Sequence, residues 1–293
     1  YAGLSEIIVI DDASTEGGLD EIKSVFKNIR FLKHKVNKGF SEAINTGVKV
    51  ASGDLIFLLN SDVSPECNAM NELAPFFSEE DIFSVSPLIL DEDNHPNIYS
   101  WNLRAFSWGK FSRQKWDLMT AKKLAETHHL PTLYSSGGSM MARKTMFQSL
   151  QGFDEIFYPF YFEDQDLGAR AWKKGWRSLF CPDAIVEHQR KGSIQSEVPA
   201  WKVKLIQRRN SFIFEWIHLG ILKLLLNRVP QYLKQIFIRT LRGDWKFLLG
   251  FILATTLLPK VTLRRFTKFS DKSYDDIIQQ INREVSNLKA AIK

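Results

Sequence analysis

The chain has 293 residues, enough for one large domain or two smaller ones, and its 44% apolar and 25% charged residues exclude a disordered protein. The net charge of +6 is unevenly spread: residues 201–293 carry 18 Lys/Arg against 6 Asp/Glu, and residues 1–200 carry 21 against 27. That split predicts an acidic part that does chemistry and a basic part that meets an anionic partner, either nucleic acid or an anionic membrane surface. No nucleic-acid-binding module is recognisable, which leaves the membrane as the expected partner.

In chain order, Glu6-Ile-Ile-Val-Ile10 reads as a short buried strand that ends in Asp11-Asp12-Ala-Ser14 and a turn through Gly17-Gly18. Residues 19–28 read as a helix and Ile29 to His34 as a second strand. Asn37-Lys38-Gly39-Phe40 is a turn, and Ser41 is expected to cap a helix running to about Ala51. Asp54 to Leu59 is a third, apolar strand, closing on Asn60-Ser61-Asp62. Strand, helix, strand, helix, strand at this spacing predicts a parallel α/β sheet, and ligands bind at the carboxyl ends of such strands. Both acidic motifs stand there.

After an irregular stretch, about 91–132, come Gly137-Gly138, Gly152-Phe153-Asp154-Glu155 and Glu163-Asp164-Gln-Asp166, the last opening a helix that ends near Gly175. A strand from Arg177 to Cys181 leads to His188. Trp101 and Trp108 are either packing residues or sugar platforms. From residue 201, apolar and basic residues alternate in helix-length blocks: 201–226, 230–241, 244–258 and a polar 274–290. This region is expected to lie on a membrane interface, to form a homodimer surface, or to cap the domain. No run reaches the roughly 18 apolar residues that span a bilayer. Cys67 and Cys181 are far apart in sequence, as expected of inert thiols in a reducing compartment. With no signal peptide at the start of the chain, the expectation is a cytoplasmic location.

The acidic residues suit one chemistry. Transfer of a glycosyl group from a nucleotide diphosphate requires a neutralised diphosphate leaving group and a base for the acceptor hydroxyl. Mg²⁺ takes one or two carboxylates plus phosphate oxygens, and a carboxylate in a partly dry pocket can serve as base. The ordered set Asp11-Asp12-x-Ser14, Asn37-x-Gly39-Phe40-x4-Asn45-x-Gly47, Asn60-Ser61-Asp62, Gly137-Gly138, Gly152-Phe153-Asp154-Glu155, Glu163-Asp164-x-Asp166-Leu167 and His188 closely resembles the family 2 glycosyltransferases of the GT-A fold, in their bacterial rhamnosyltransferase-like branch. The Arg209-Asn210 pair and the apolar-basic tail also resemble this branch.

The resemblance implies a mixed, mainly parallel sheet flanked by helices over residues 1–200 and a separate helical region over 201–293. It implies that Asp11 or Asp12 binds the nucleobase, and that Ser14, Asn37, Gly39, Asn45, Asn60, Ser61, Gly137 and Gly138 line the nucleotide-sugar site. Asp62 and His188 would hold Mg²⁺ or Mn²⁺. Asp164 would be the base, with Glu163 beside it and Asp166 the alternative. The implied reaction inverts the anomeric centre. Its donor would be a UDP- or dTDP-sugar, dTDP-rhamnose among them, and its acceptor a glycan or lipid-linked hydroxyl at the inner membrane face. Asn60 stands where the family has an Asp, which removes one charge from the metal site. The family's opening strand and helix, roughly 30–40 residues of a βαβ unit, are expected to precede Tyr1. A nucleotidyltransferase of related α/β fold is the alternative reading.

Overall fold

The computed structural model describes residues 4, 6–15, 19–107, 110–188, 198–267 and 272–291; Gly17, Gly18 and Trp108 lie outside them. The first elements follow the sequence pattern: β1 (Ile7–Asp11), α1 (Leu19–Val25), β2 (Ile29–Lys33), α2 (Phe40–Val50) and β3 (Leu55–Leu59). β1 and β2 pair in parallel from Ile7↔Ile29 to Asp11↔Lys33. The start of α2 differs from expectation. Gly39, not Ser41, is its N-cap, and Ser41 is buried in the first turn. Gly39 has φ 84°, and a Cβ there would lie 2.8 Å from the Tyr158 ring, so both backbone and space demand glycine.

β4 (Val63–Pro65), α3 (Ala69–Leu73), β5 (Ile82–Leu90), β6 (Arg104–Ser107), β7 (Lys110–Arg113), α4 (Leu118–Ala125), β8 (Leu130–Thr132), β9 (Ser139–Arg143), α5 (Lys144–Ser149), α6 (Glu163–Lys173) and β10 (Arg177–His188) complete the first part. The central sheet runs β3-β9-β5-β10-β4, with β8 also on β10. It is mixed, as expected, but only β5–β10 is parallel; β3–β9, β5–β9, β10–β4 and β10–β8 are antiparallel. The parallel expectation came from the first three strands. Among the described residues β3 pairs not with β1 or β2 but with β9, which enters the sheet antiparallel between β3 and β5.

β10 continues well past Cys181. Its register against β5 jumps from Cys181↔Pro87 to Ile185↔Leu88, a bulge flanked by Pro87 and Pro182, residues that cannot donate to a ladder. Beyond the bulge β10 turns to β4, pairing His188 with Val63.

α7 (Ala200–His218), α8 (Val229–Leu241), α9 (Trp245–Thr255), α10 (Leu258–Thr267) and α11 (Tyr274–Ala291) follow, with a helical turn at Ile221–Lys223 and a π-turn at Leu224–Arg228 before α8. One apolar core runs from Leu88, Trp101, Phe157 and Trp172 into Phe212 and Ile217 of α7 and Ile277 and Ile281 of α11. Trp101 is fully buried, stacks on Phe180 at 5.7 Å and donates its indole N–H to Pro131 O, so it is a packing residue. Cys67 is exposed, Cys181 buried, and neither is in a disulfide.

Candidate active site

The strand-end loops are tied by their own acidic residues. Asp11 accepts a hydrogen bond from Ser14 N at 2.7 Å and pairs with Lys33 Nζ at 2.9 Å. The lysine, then the Ser14 N–H, hold its carboxyl down at about 2. Asp12 accepts from Lys38 N at 2.9 Å, Gly39 N at 2.7 Å and His34 Nδ1 at 2.7 Å, and so pins the 37–39 turn against β1. Asn37 Oδ1 reaches Gly39 N at 3.2 Å within that turn.

Asn45 was expected at the nucleotide sugar, and its geometry points elsewhere. Its amide donates to Phe153 O and accepts from Phe153 N, both at 2.9 Å, so the side chain clamps the Gly152-Phe153 backbone to α2. With both amide ends engaged, it is scaffold.

Asn60 and Gly138 are in contact. Asn60 N donates to Gly138 O at 2.9 Å, and a Cβ on Gly138 would lie 2.7 Å from Asn60 Nδ2. Ser61 is exposed beside them. The β4–β10 pairing brings Asp62 and His188 together, with His188 Nε2 3.6 Å from Asp62 Oδ2. Asp62 Oδ1 is buried with no hydrogen-bond partner among the described residues. A carboxylate oxygen left unsatisfied in a protein interior is costly, and beside an imidazole nitrogen it fits a divalent cation that completes its shell from a diphosphate. A second cluster of suitable donors, Asp91, Asp93 and His95, sits on the turn after β5. There Asp91 Oδ1 accepts turn hydrogen bonds from Asp93 N and His95 N.

Glu163 and Asp164 open α6. Gly168, one turn on, lets that helix lie directly on the chain: a Cβ there would stand 2.5 Å from Tyr134 Cβ and 2.6 Å from Leu133 O. The residues before the helix, Tyr161 and Phe162, have φ 71° and 81°, a left-handed backbone rarely adopted outside glycine. It is held from the C-terminal helices. Asn210 Nδ2 of α7 lies within 2.8–2.9 Å of the carbonyls of Phe157, Phe160 and Tyr161, Arg209 donates to Tyr158 O, and the Phe162 ring packs on Phe214 at 5.7 Å. The Arg209-Asn210 pair noticed in the sequence thus shapes the entry to α6.

The three carboxylates at this helix start differ sharply. Asp166 is fully buried, bonded to Arg170 Nε at 2.7 Å and to His218 Nε2 at 2.8 Å, while Arg170 reaches the carbonyls of Leu150 and Gly152. It joins α6 to α7 and cannot meet a substrate, which removes the alternative base. Burial pushes the Asp164 carboxyl up to about 6, partly offset by the N–H groups of Gln165 and Gly137 and the charge of Arg104. Glu163 is buried, its Oε2 lacks a hydrogen-bond partner among the described residues, and burial with the Asp164 charge pushes its carboxyl well above the usual range. Both carboxyls of the pair are thus harder to ionise than ordinary side-chain carboxyls. Asp154 accepts from Ile156 N and pairs with Arg264 at 2.7 Å, a structural role. Arg104, half-buried on β6 and close enough to act on Asp164, carries no motif and was missed in the sequence.

The mixed sheet flanked by helices, with carboxylates at its strand ends, has the GT-A fold. Solved structures agree: GalNAc-T7 with UDP, GalNAc and Mn²⁺ superposes with TM-score 0.57 at 20% identity, covering 74% of this chain and 43% of that one. The Pyrobaculum calidifontis mannosyltransferase PcManGT with GDP-Man and Mn²⁺ gives 0.51 at 12% identity, covering 87% and 66%. The chain belongs to glycosyl transferase family 2, whose profile matches residues 2–150. It is 25% identical over 204 residues to the Mycobacterium tuberculosis N-acetylglucosaminyl-diphospho-decaprenol L-rhamnosyltransferase, covering 63% of this chain and 66% of that protein. It is 23% identical over 185 residues to the Salmonella anatum O-antigen chain rhamnosyltransferase WbaN, covering 63% and 56%. The rhamnosyltransferase-like resemblance is thus carried by relatives, and the nucleotidyltransferase alternative falls. The chain spans no more than about two thirds of either relative's length.

Proposed function

We propose that this chain transfers a sugar, with inversion, from a UDP- or dTDP-sugar, dTDP-rhamnose among the candidates, to a hydroxyl of a glycan or lipid-linked acceptor. The observation that carries the reading is the division of labour between two carboxylates. Asp164 titrates at about 6, so it is ionised at neutral pH yet basic enough to accept a proton. Asp62, its side chain 17% exposed beside His188, keeps one oxygen buried and without a hydrogen-bond partner among the described residues.

In this mechanism Asp164 takes the proton of the acceptor hydroxyl as its oxygen bonds to the anomeric carbon. The bond from that carbon to the diphosphate breaks on the opposite face. Asp62 and His188 would hold Mg²⁺ or Mn²⁺, which when bound supplies Lewis-acid neutralisation of the leaving diphosphate. Asn60 and the Gly137-Gly138 backbone bound the donor-sugar side, and Asp11, Asp12, Ser14, Asn37 and Gly39 form the nucleoside end.

The basic C-terminal part is proposed to lie on the inner face of the membrane. Leu222, Leu226, Leu233, Phe237 and Leu241 are all exposed, and the last three recur every four residues along α8 with Lys234 and Arg242 nearby. Among the described residues no single helix is long and apolar enough to cross a bilayer; α9 and α10 together reach that length but are bent by 60°. The direct test is a donor screen reading nucleoside diphosphate release with and without Mg²⁺ or Mn²⁺. Release that is unchanged in Asp62→Ala and Asp164→Asn refutes the assignment.

A further inference from the structure

Arg104 belongs to no motif, yet the fold delivers it to the start of α6 and fixes it there with two side-chain amides. It opens β6, opposite Arg113 of β7. Its carbonyl accepts from Gln114 Nε2 at 3.2 Å and from Asn282 Nδ2 of α11 at 3.0 Å, and Gln114 Nε2 also donates to Asn282 Oδ1 at 2.9 Å. The two amides close on each other and on one backbone carbonyl, so α11 sets where the β6 backbone stands. From there the half-buried side chain reaches inward, its Nη2 3.4 Å from Gln165 Oε1 and 3.4 Å from Tyr134 Oη. Gln165 N in turn donates to Asp164 Oδ1 at 2.7 Å. The guanidinium therefore stands against the residue next to the proposed base.

Contacts of 3.4 Å lie beyond the usual hydrogen-bond range and anchor little. Charge acts farther, because Coulomb energy falls only as the inverse of distance, and a nearby cation favours the ionised form of a carboxyl. The titratable groups that face Asp164 are Glu163 beside it on α6, Tyr134 after β8, Tyr274 at the start of α11, and Arg104. Asp166, which also acts on Glu163, is itself held by Arg170 and His218. Burial pushes both tyrosine hydroxyls up, so they stay neutral around neutral pH. Of the groups that face Asp164, Arg104 alone is positive, and its charge works against the burial that raises the Asp164 carboxyl.

We propose that Arg104 is a positioning residue, the counter-charge of the Asp164 carboxylate, and that Asn282 of α11 fixes the place of that charge. The inference rests on the reading of Asp164 as the base and deepens it: the pH range in which the base works is set in part from β6 and from α11, both far from α6 in sequence. Without the charge, Asp164 keeps its proton to higher pH. A rise of about one unit in its midpoint cuts the ionised fraction at pH 6 from about a half to about a tenth.

The test titrates Asp164 directly, by NMR of the aspartate ¹³Cγ signals of the intact labelled protein, with Asp164→Asn identifying the resonance. The wild-type midpoint is expected at about 6. Arg104→Gln, which keeps a polar amide in place, should raise it by about one unit. Arg104→Lys restores the charge and should stay near the wild-type value. Asn282→Ala should raise the midpoint by a smaller amount, and it carries the test if Arg104→Gln does not fold. The acid limb of kcat/KM should follow the NMR midpoint, so that transfer by Arg104→Gln is about fivefold slower at pH 6 and nearly unchanged above about pH 8. A midpoint that does not rise in Arg104→Gln, or that rises as far in Arg104→Lys, overturns the proposal. So does an equal loss of rate at every pH with the midpoint unmoved, the mark of a merely structural arginine. A midpoint unmoved by Asn282→Ala overturns the role given to α11. If the NMR midpoint shifts and the transfer rate does not follow it, Arg104 stands as the counter-charge and Asp164 is not the base, so the two readings fail separately.

Discussion

Replacing Asp164 by Asn should abolish transfer while making the protein more stable at neutral pH. Burial holds the Asp164 carboxyl at about 6 against an ordinary 3.8, so the folded state binds this proton more tightly than the unfolded state. Below pH 4 both states are protonated and the group costs nothing. As pH rises from about 4 to 6 the unfolded chain sheds its proton first, and stability falls. Above 6 the cost is constant, about 3 kcal/mol at about 1.4 kcal/mol per pH unit. Asn removes that cost and can still accept the Gln165 N–H that Asp164 Oδ1 receives at 2.7 Å. The variant should therefore gain about 2–3 kcal/mol in urea denaturation at pH 7.5, a gain that shrinks toward zero at pH 4. Loss of the base should lower kcat by about 10²–10⁴. In the wild type, kcat/KM should fall about tenfold per unit as pH drops below about 6. A variant less stable than wild type at pH 7.5, or an acid limb centred near 4, would refute the claim that burial poises this carboxylate.

Asp62→Asn and His188→Ala should each weaken Mn²⁺-dependent nucleotide binding by about tenfold or more, read by titrating metal against nucleoside diphosphate release; neither should change the melting temperature by more than a few degrees. Asn45→Ala breaks both bonds to Phe153 and should cost about 1–3 kcal/mol in denaturation, with no direct loss of a donor contact. Gly168→Ala forces a methyl to 2.5 Å from Tyr134 Cβ and should destabilise by about 1–3 kcal/mol or more, since the opposing atoms are backbone or next to it. Leu233→Glu with Phe237→Glu should reduce sedimentation with anionic phosphatidylglycerol vesicles and leave the melting curve intact, because both side chains are exposed.

The sequence made the strand-end motifs legible because their chemistry is local. Asp11-Asp12 and Asn60-Ser61-Asp62 each follow an apolar β-branched run, and the structure puts both where that pattern implies. Asp62 and His188 were paired only through resemblance; the physical link is the β10 bulge, which no periodicity announces. β5 was unassigned because Pro87 interrupts an otherwise apolar run, and β9 because its five residues follow a glycine pair. Asn45 looked like a ligand-binding amide, yet the backbone it serves is 108 residues away, and such a partner cannot be read from spacing. The choice between Asp164 and Asp166 was open for the same reason. Asp166 is distinguished by His218, contributed from a helix 52 residues on.

On the proposed mechanism, that last contact ties the C-terminal helices to the base as well as to the core. The carboxylate pair opens α6 from a left-handed turn that would relax if left alone, at a cost of order 1–3 kcal/mol per strained residue. Asn210 gathers three carbonyls of that turn, and His218 with Arg170 fixes Asp166 two residues beyond the base. Both clamps come from α7, so the position of Asp164 depends on residues outside the 2–150 segment matched by the family profile. A surface that engages α8 and the turns before it bears, through the Glu215–Arg228 pair, on the same helix. Asn210→Ala should therefore lower kcat more than it raises the KM for donor, since it releases the base-bearing turn and leaves the strand-end residues untouched. An effect confined to donor KM would mean that α7 supports the nucleotide side of the site instead.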